Sequence, residues 1–172
     1  MTTTLITGAN KGLGYETARR LLGDGHDVWV AARDPDRGAA AAERLGARFV
    51  ALDVTDEASV AAAADVVARA GGLDVLINNA GIVDPNGPAA DILLLGYPSS
   101  KAALNMLTIK WARAHPRWRV NAADPGFTAT DLNSQRGTQT VHEGTEAIVR
   151  LASIGPDGPT GTFADRLGAV LW

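Results

Sequence analysis

Apolar residues recur along the chain in two rhythms, short continuous runs and longer stretches at helical spacing. The β-branched run Thr2-Thr3-Thr4-Leu5-Ile6-Thr7 reads as a strand. The glycine-bearing stretch Thr7 to Gly14 leads from it into a helix over 12–22, packed through Ala18, Leu21 and Leu22. Gly23-Asp24-Gly25 ends that helix. Residues 27–32 read as a buried strand, and Asp34 caps a helix over 36–45 with Pro35 at its first position. A third strand, 48–52, ends at Asp53, and Thr55 is the predicted cap of an alanine-rich helix over 56–70 closed by Gly71-Gly72. A fourth strand, 73–77, runs into Asn78-Asn79-Ala80-Gly81.

Further along, 97–113 forms a long helical pattern in which Ala103, Leu104, Leu107 and Trp111 repeat at helical spacing. His115-Pro116 breaks it. Residues 119–123 make a strand that ends at Asp124-Pro125-Gly126. Thr140 and Glu143 fit a capping box for a last helix running to about Ser153, stopped by Gly155-Pro156. A final strand falls at 161–165.

Strands alternating with helices of ten to fifteen residues predict βαβ units on a doubly wound parallel sheet. A glycine loop after the first strand places a ligand at the carboxyl ends of the strands. There, unpaired N–H groups and the positive end of a helix dipole favour a pyrophosphate, and glycines let it come close.

The totals narrow the choice. A chain of 172 residues with 46% hydrophobic and 20% charged side chains is read as one domain, 1–172, able to bury a core. Net charge is −3 and arginine is spread along the chain, which argues against a nucleic-acid partner or a membrane-surface helix. No apolar run approaches a transmembrane span and no signal peptide is visible, so the expected location is cytoplasmic. With no cysteine and only the scattered His26, His115 and His142, no metal site is expected.

Five motifs follow in order: Gly8-x-x-x-Gly12-x-Gly14, then Asp53, then Asn78-Asn79-Ala80-Gly81, then Tyr97-x-x-x-Lys101, then Pro125-Gly126-Phe127-Thr128. Together they closely resemble the short-chain dehydrogenase/reductase family, particularly its carbonyl-reductase-like members. The resemblance implies a Rossmann-like fold and hydride transfer between a nicotinamide cofactor and a small carbonyl or alcohol substrate. It assigns Gly8, Asn10, Lys11, Gly12, Leu13 and Gly14 to the cofactor loop, and Asp53 with Val54 to the adenine end. Asn79, Ala80 and Gly81 would wall the cofactor, and Pro125, Gly126 and Thr128 would meet the nicotinamide amide.

Tyr97 and Lys101 lie four apart, neighbours on one helix face. A free phenol, with a pKa of about 10, is a poor proton donor near neutrality. A nearby ammonium and a cationic nicotinamide ring favour the phenolate and lower that pKa. The resemblance makes Tyr97 the acid/base and Lys101 its partner, which also holds the nicotinamide ribose.

Charge argues the choice of cofactor. An NAD site places an acid near the end of the second strand to bind the ribose 2′-hydroxyl. Here that place holds Ala32-Arg33, and Lys11 sits in the glycine loop. Two cations suit a 2′-phosphate, so NADP(H) is expected ahead of NAD, with Asp34 read first as a helix cap.

The pattern departs from the family between Gly81 and Tyr97. Relatives carry several dozen residues there, including a long helix, a strand, the serine that binds the reacting oxygen and the asparagine of the proton relay. Only 82–96 remain, broken by Pro85, Gly87 and Pro88, with Ile92-Leu93-Leu94-Leu95 read as a short extended or irregular segment. The fold is therefore expected to be shortened by one helix and one strand. The sheet face left uncovered points to a homo-oligomer. Ser100 is read as a small packing residue, and no replacement serine is named. Three readings follow: a working reductase, a catalytically impaired NADP-binding or interaction protein of the same fold, or a chain lacking residues that the expressed protein has. An intact mass well above 17.9 kDa would establish the last.

Overall fold

The computed structural model describes residues 1–81 and 96–171, and only the backbone at Gly96 and Tyr97. The expected link 82–96, with its Ile92-Leu95 segment, thus lies outside the described residues apart from Gly96. The chain divides into two compact units, Met1–Gly81 and Ile82–Trp172.

The first unit alternates strand and helix as expected: β1 (Thr3–Thr7), α1 (Gly12–Gly23), β2 (Asp27–Ala32), α2 (Pro35–Leu45), β3 (Arg48–Ala51), α3 (Glu57–Arg69) and β4 (Val75–Ile77). All pairings are parallel, in the order β3-β2-β1-β4. The chain steps from β1 outward to β2 and β3, then returns past β1 to lay down β4. That reversal is the topological switch point, and the glycine loop leaves β1 there.

Successive strand side chains face opposite ways, so a strand buried at every position is covered on both faces. From Val28 to Ala32, β2 is such a strand. Leu5, Trp29, Ala31 and Val50 pack against Ala63 and Val67 of α3. On the other face Ile6, Val28 and Val30 are fully buried, and a Cβ on Gly38 of α2 would fall 2.2 Å from the Phe49 ring. Leu76 pairs in register with Leu5, hence on the α3 side, yet it is 54% exposed.

Two boundaries differ from expectation. The cap of α3 is Asp56, whose carboxylate accepts from the Ala58 N–H, while Thr55 turns back to Asp53. At the start of β4, the Asp74 side chain takes the Thr3 N–H, so the ladder begins only at Val75.

The second unit contains α4 (Gly96–Ala114), β5 (Ala122–Ala123), α5 (Val141–Gly144), α6 (Glu146–Ala152), β6 (Phe163–Asp165) and β7 (Gly168–Val170). Its strands run β5-β6-β7, the first pair parallel and the second antiparallel. The expected strand 119–123 shrinks to two residues because the Val120 N–H donates to the Thr160 hydroxyl instead of a ladder partner. The last helix is split at Thr145, fully buried, whose hydroxyl donates back to the His142 carbonyl. A hairpin strand, β7, was not foreseen. Asp165 accepts from the Leu167 and Gly168 N–H groups to make its turn.

On α4 the buried positions are Thr108 and Ala112, whereas Leu104, Leu107 and Trp111 form an exposed stripe. The helical period was legible but the face it presents is outward.

The capping box at Thr140 is present. The Thr140 Oγ1 accepts the Glu143 N–H (3.2 Å), and the Thr140 N–H donates to Glu143 Oε2 (2.9 Å). The Thr140 N–H, then its hydroxyl, hold the Glu143 carboxyl below the usual carboxylate range. A depressed pKa contributes stability above the unfolded-state value and loses it as pH falls through the folded one. Separately from that titration, loss of the capping hydroxyl in Thr140→Ala is expected to cost about 1 kcal/mol, the usual worth of a helix cap. Urea denaturation of both chains measures that cost, and the wild-type chain should lose the Glu143 contribution as the pH is lowered through the carboxylate range.

Candidate cofactor-binding and catalytic site

In the first unit the site is built at the carboxyl ends of β1 and β4. Thr7 closes β1, and its hydroxyl oxygen accepts the N–H groups of Asn79 and Ala80, each at 3.0 Å. The Asn79 amide donates in return to the Thr7 carbonyl (2.8 Å) and the Gly8 carbonyl (3.2 Å). Asn79, expected beside the cofactor, thus braces the glycine loop with its side chain. Thr7 itself went unassigned in the sequence. The signal was there, a hydroxyl at a strand end just before the first glycine.

Glycine is required where the backbone comes close. A Cβ at Gly14 would lie 2.5 Å from Asn79 Nδ2 and 2.9 Å from the Gly8 carbonyl oxygen. Gly8 takes φ +65° with Ala80 at its back, where a Cβ would meet the Ala80 Cα at 3.0 Å. Ala9 donates to the Ala31 carbonyl, tying the loop to β2. Asn10, Lys11, Gly12 and Leu13 complete the turn into α1, with Lys11 exposed at the helix start.

The start of α1 differs from the other long helices of this unit. Side chains of Asp34 and Asp56 cap α2 and α3, whereas α1 has no side-chain cap and no acid in its first turn. Its leading N–H groups are thus left for an anion, next to the glycines. These residues fit the pyrophosphate of a dinucleotide.

Arg33 is exposed at the end of β2. Asp53, at the end of β3, accepts the N–H (3.0 Å) and hydroxyl (2.7 Å) of Thr55. Those bonds, backbone first, hold its carboxyl below the usual range, and the Arg33 charge adds to them. Val54 beside it is half-exposed. Ala80 and Gly81 lie exposed after β4.

In the second unit, α4 carries Tyr97 and Lys101 four positions apart, hence on one side of the helix. The Tyr97 side chain lies outside the described residues, and Lys101 is exposed. Pro125, Gly126 and Thr128 form the turn after β5. Gly126 stands at φ +65° with its N–H on Asp124 Oδ1, and buried Thr128 donates its hydroxyl to the Pro125 carbonyl (2.7 Å). That hydroxyl oxygen keeps its accepting capacity.

Residues 2–94 match the family model described as short chain dehydrogenase. The chain belongs to the short-chain dehydrogenase family. It is 30% identical to the short-chain dehydrogenase/reductase ATR10 of Stachybotrys chlorohalonatus, over 95% of this chain and 88% of that protein. That alignment runs over 242 positions against a chain of 172 residues, so the relative has residues this member lacks. Carbonyl reductase [NADPH] 1 of Mus musculus is 46% identical over 85 residues, 45% of this chain and 31% of that one. The structure of salutaridine reductase from Papaver somniferum superposes with a TM-score of 0.84 at 23% identity, covering 95% and 99% of the two chains, a likeness of fold. The family fixes the reaction class, an oxidoreductase acting by hydride transfer on small substrates. Among the described residues no helix is long and apolar enough to cross a membrane, and no cluster of acids and histidines could hold a metal.

Proposed function

We propose that this short-chain dehydrogenase is one NADP(H)-binding domain that interconverts a small carbonyl compound and its alcohol. The observation that carries the cofactor reading is the cationic rim of the glycine loop. Lys11 opens α1, Arg33 ends β2, and the acid next to Arg33 in sequence, Asp34, is engaged as the cap of α2. The mouse carbonyl reductase, whose name gives NADPH as its cofactor and which is 46% identical over 45% of this chain, supports the same choice.

Gly8, Asn10, Gly12, Leu13 and Gly14 would hold the pyrophosphate, Lys11 and Arg33 the 2′-phosphate, and Asp53 with Val54 the adenine end. Asn79, Ala80 and Gly81 would line the cofactor, and Pro125, Gly126 and Thr128 the nicotinamide amide. When bound, the nicotinamide supplies or accepts a hydride. Tyr97 donates the proton to the substrate oxygen, and Lys101 lowers the tyrosine pKa and binds the ribose. Exposed Leu76 and the exposed stripe Leu104, Leu107 and Trp111 support a homo-oligomer, and a cysteine-free chain suits the cytoplasm.

Arg33→Ala is expected to weaken NADPH binding about tenfold, the worth of one charge-assisted contact, and to leave NADH binding nearly unchanged. Equilibrium titration with both cofactors measures this, and equal weakening of the two would remove the 2′-phosphate assignment. A second reading, a cofactor-binding protein without turnover, is favoured by one observation, the positions of its relative that this chain lacks. NADPH binding without oxidation across a broad carbonyl panel would establish it.

A further inference from the structure

Helix α3 presents a grooved face of small residues. Only Ala63 and Val67 of this helix are buried. A groove of about 440 Å³ runs along its exposed side, lined by Val54, Glu57, Val60, Ala61 and Ala64. The alanines leave room for side chains of another helix to sink in, as ridges enter grooves. The charge here is acidic, with Asp53, Asp56, Glu57 and Asp65 set against Arg69.

Helix α4 is the converse. Leu104, Leu107 and Trp111 are large, exposed and on one stripe of the helix. The Trp111 ring leans on those of His115 and Trp118, with centroids 5.6 and 6.1 Å away, so it stands as a braced knob. Aromatic anchors of this kind carry much of the energy of an interface. The charged residues of α4 are Lys101, Lys110 and Arg113, and it contains no acid. Two copies of α4 face to face would set large side chains against large ones and cation against cation. Two copies of α3 would oppose acid to acid and leave the groove unfilled. Packing α4 against α3 matches knob to groove and base to acid.

We infer that the chain pairs with a second copy of itself by exchange: the stripe of Leu104, Leu107 and Trp111 on each α4 seats in the α3 groove of the other. Lys110, three residues from Leu107, meets the acidic margin at Glu57 and Asp65. Made twice about a two-fold axis, the contact closes on itself and neither face is left over. This inference rests on the homo-oligomer reading above and names the surfaces it uses.

Sedimentation of the full chain over a micromolar concentration series tests it. The wild-type chain should reach twice its 17.9 kDa. Ala64→Arg fills the groove with a cation, and Leu107→Glu puts an acid on the stripe. Both positions are exposed and both new residues are good helix formers, so the fold is kept. Each variant alone should raise the dissociation constant at least about thirtyfold. An equimolar mixture should restore dimers, because one contact of the mixed pair is wild type and the other sets arginine against glutamate. A misfolded chain cannot give that rescue. A dimer that Ala64→Arg leaves intact overturns the inference, since α4 would then pair with another surface. A mixture that stays as weak as its components overturns it too. A wild-type chain that remains monomeric throughout the series overturns the homo-oligomer reading, and the inference with it.

Discussion

Tyr97→Phe is expected to lower kcat about 10³-fold while NADPH affinity stays nearly the same. As a carbonyl accepts hydride its oxygen gains negative charge and must take a proton, and phenylalanine keeps the ring but has none to give. Ordinary phenols titrate about three pH units above neutrality, so the donor works only with help. Lys101 stands one turn along α4 from Tyr97, and in the proposed mechanism its charge gives that help. Steady-state kinetics with direct NADPH titration separate the two effects. Turnover that survives in Tyr97→Phe would move the acid elsewhere, and a parallel loss of cofactor binding would make Tyr97 a binding residue first.

Gly14→Val should damage cofactor binding and stability together. A Cβ at Gly14 falls 2.5 Å from the Asn79 amide, which holds the Thr7 and Gly8 carbonyls, and 2.9 Å from the Ala9 Cα. Backbone cannot yield there as a side-chain tip can, so the Asn79 brace must give way. Overpacking of this kind costs about 1–3 kcal/mol of stability. Displacing the loop's N–H groups from the proposed phosphate position should weaken NADPH binding at least about a hundredfold. Gly23→Ala, at a position with open space around it, is the matched control and should change neither. Denaturation and titration of both variants check the pair, and a Gly14→Val chain that binds NADPH normally would show that the close packing is not needed.

The parts of this fold that were readable in advance were those where residue type dictates backbone. β-branched runs gave β1 and β2, Asp34-Pro35 gave the start of α2, and the glycines gave the loop. What was not readable depended on contacts between distant residues. Thr55 and Asp56 are both good caps, and only the bond from Thr55 to Asp53 settles which is used. β7 was missed because its turn puts Leu167, an apolar residue, 84% into solvent. The α4 stripe gave the helix but not the side it buries, since Thr108 and Ala112 are small and the large apolar groups point outward. At the site the motifs named the loop, yet Thr7 as its clamp emerges only from hydrogen bonds between side chain and backbone.

The most direct measurement is NADPH oxidation by the wild-type chain across a panel of ketones and aldehydes, with NADH run beside it. The expected result is carbonyl-dependent turnover that NADPH supports better than NADH. Tight NADPH binding without oxidation of any carbonyl, or faster turnover with NADH, would contradict an NADP(H)-dependent reductase.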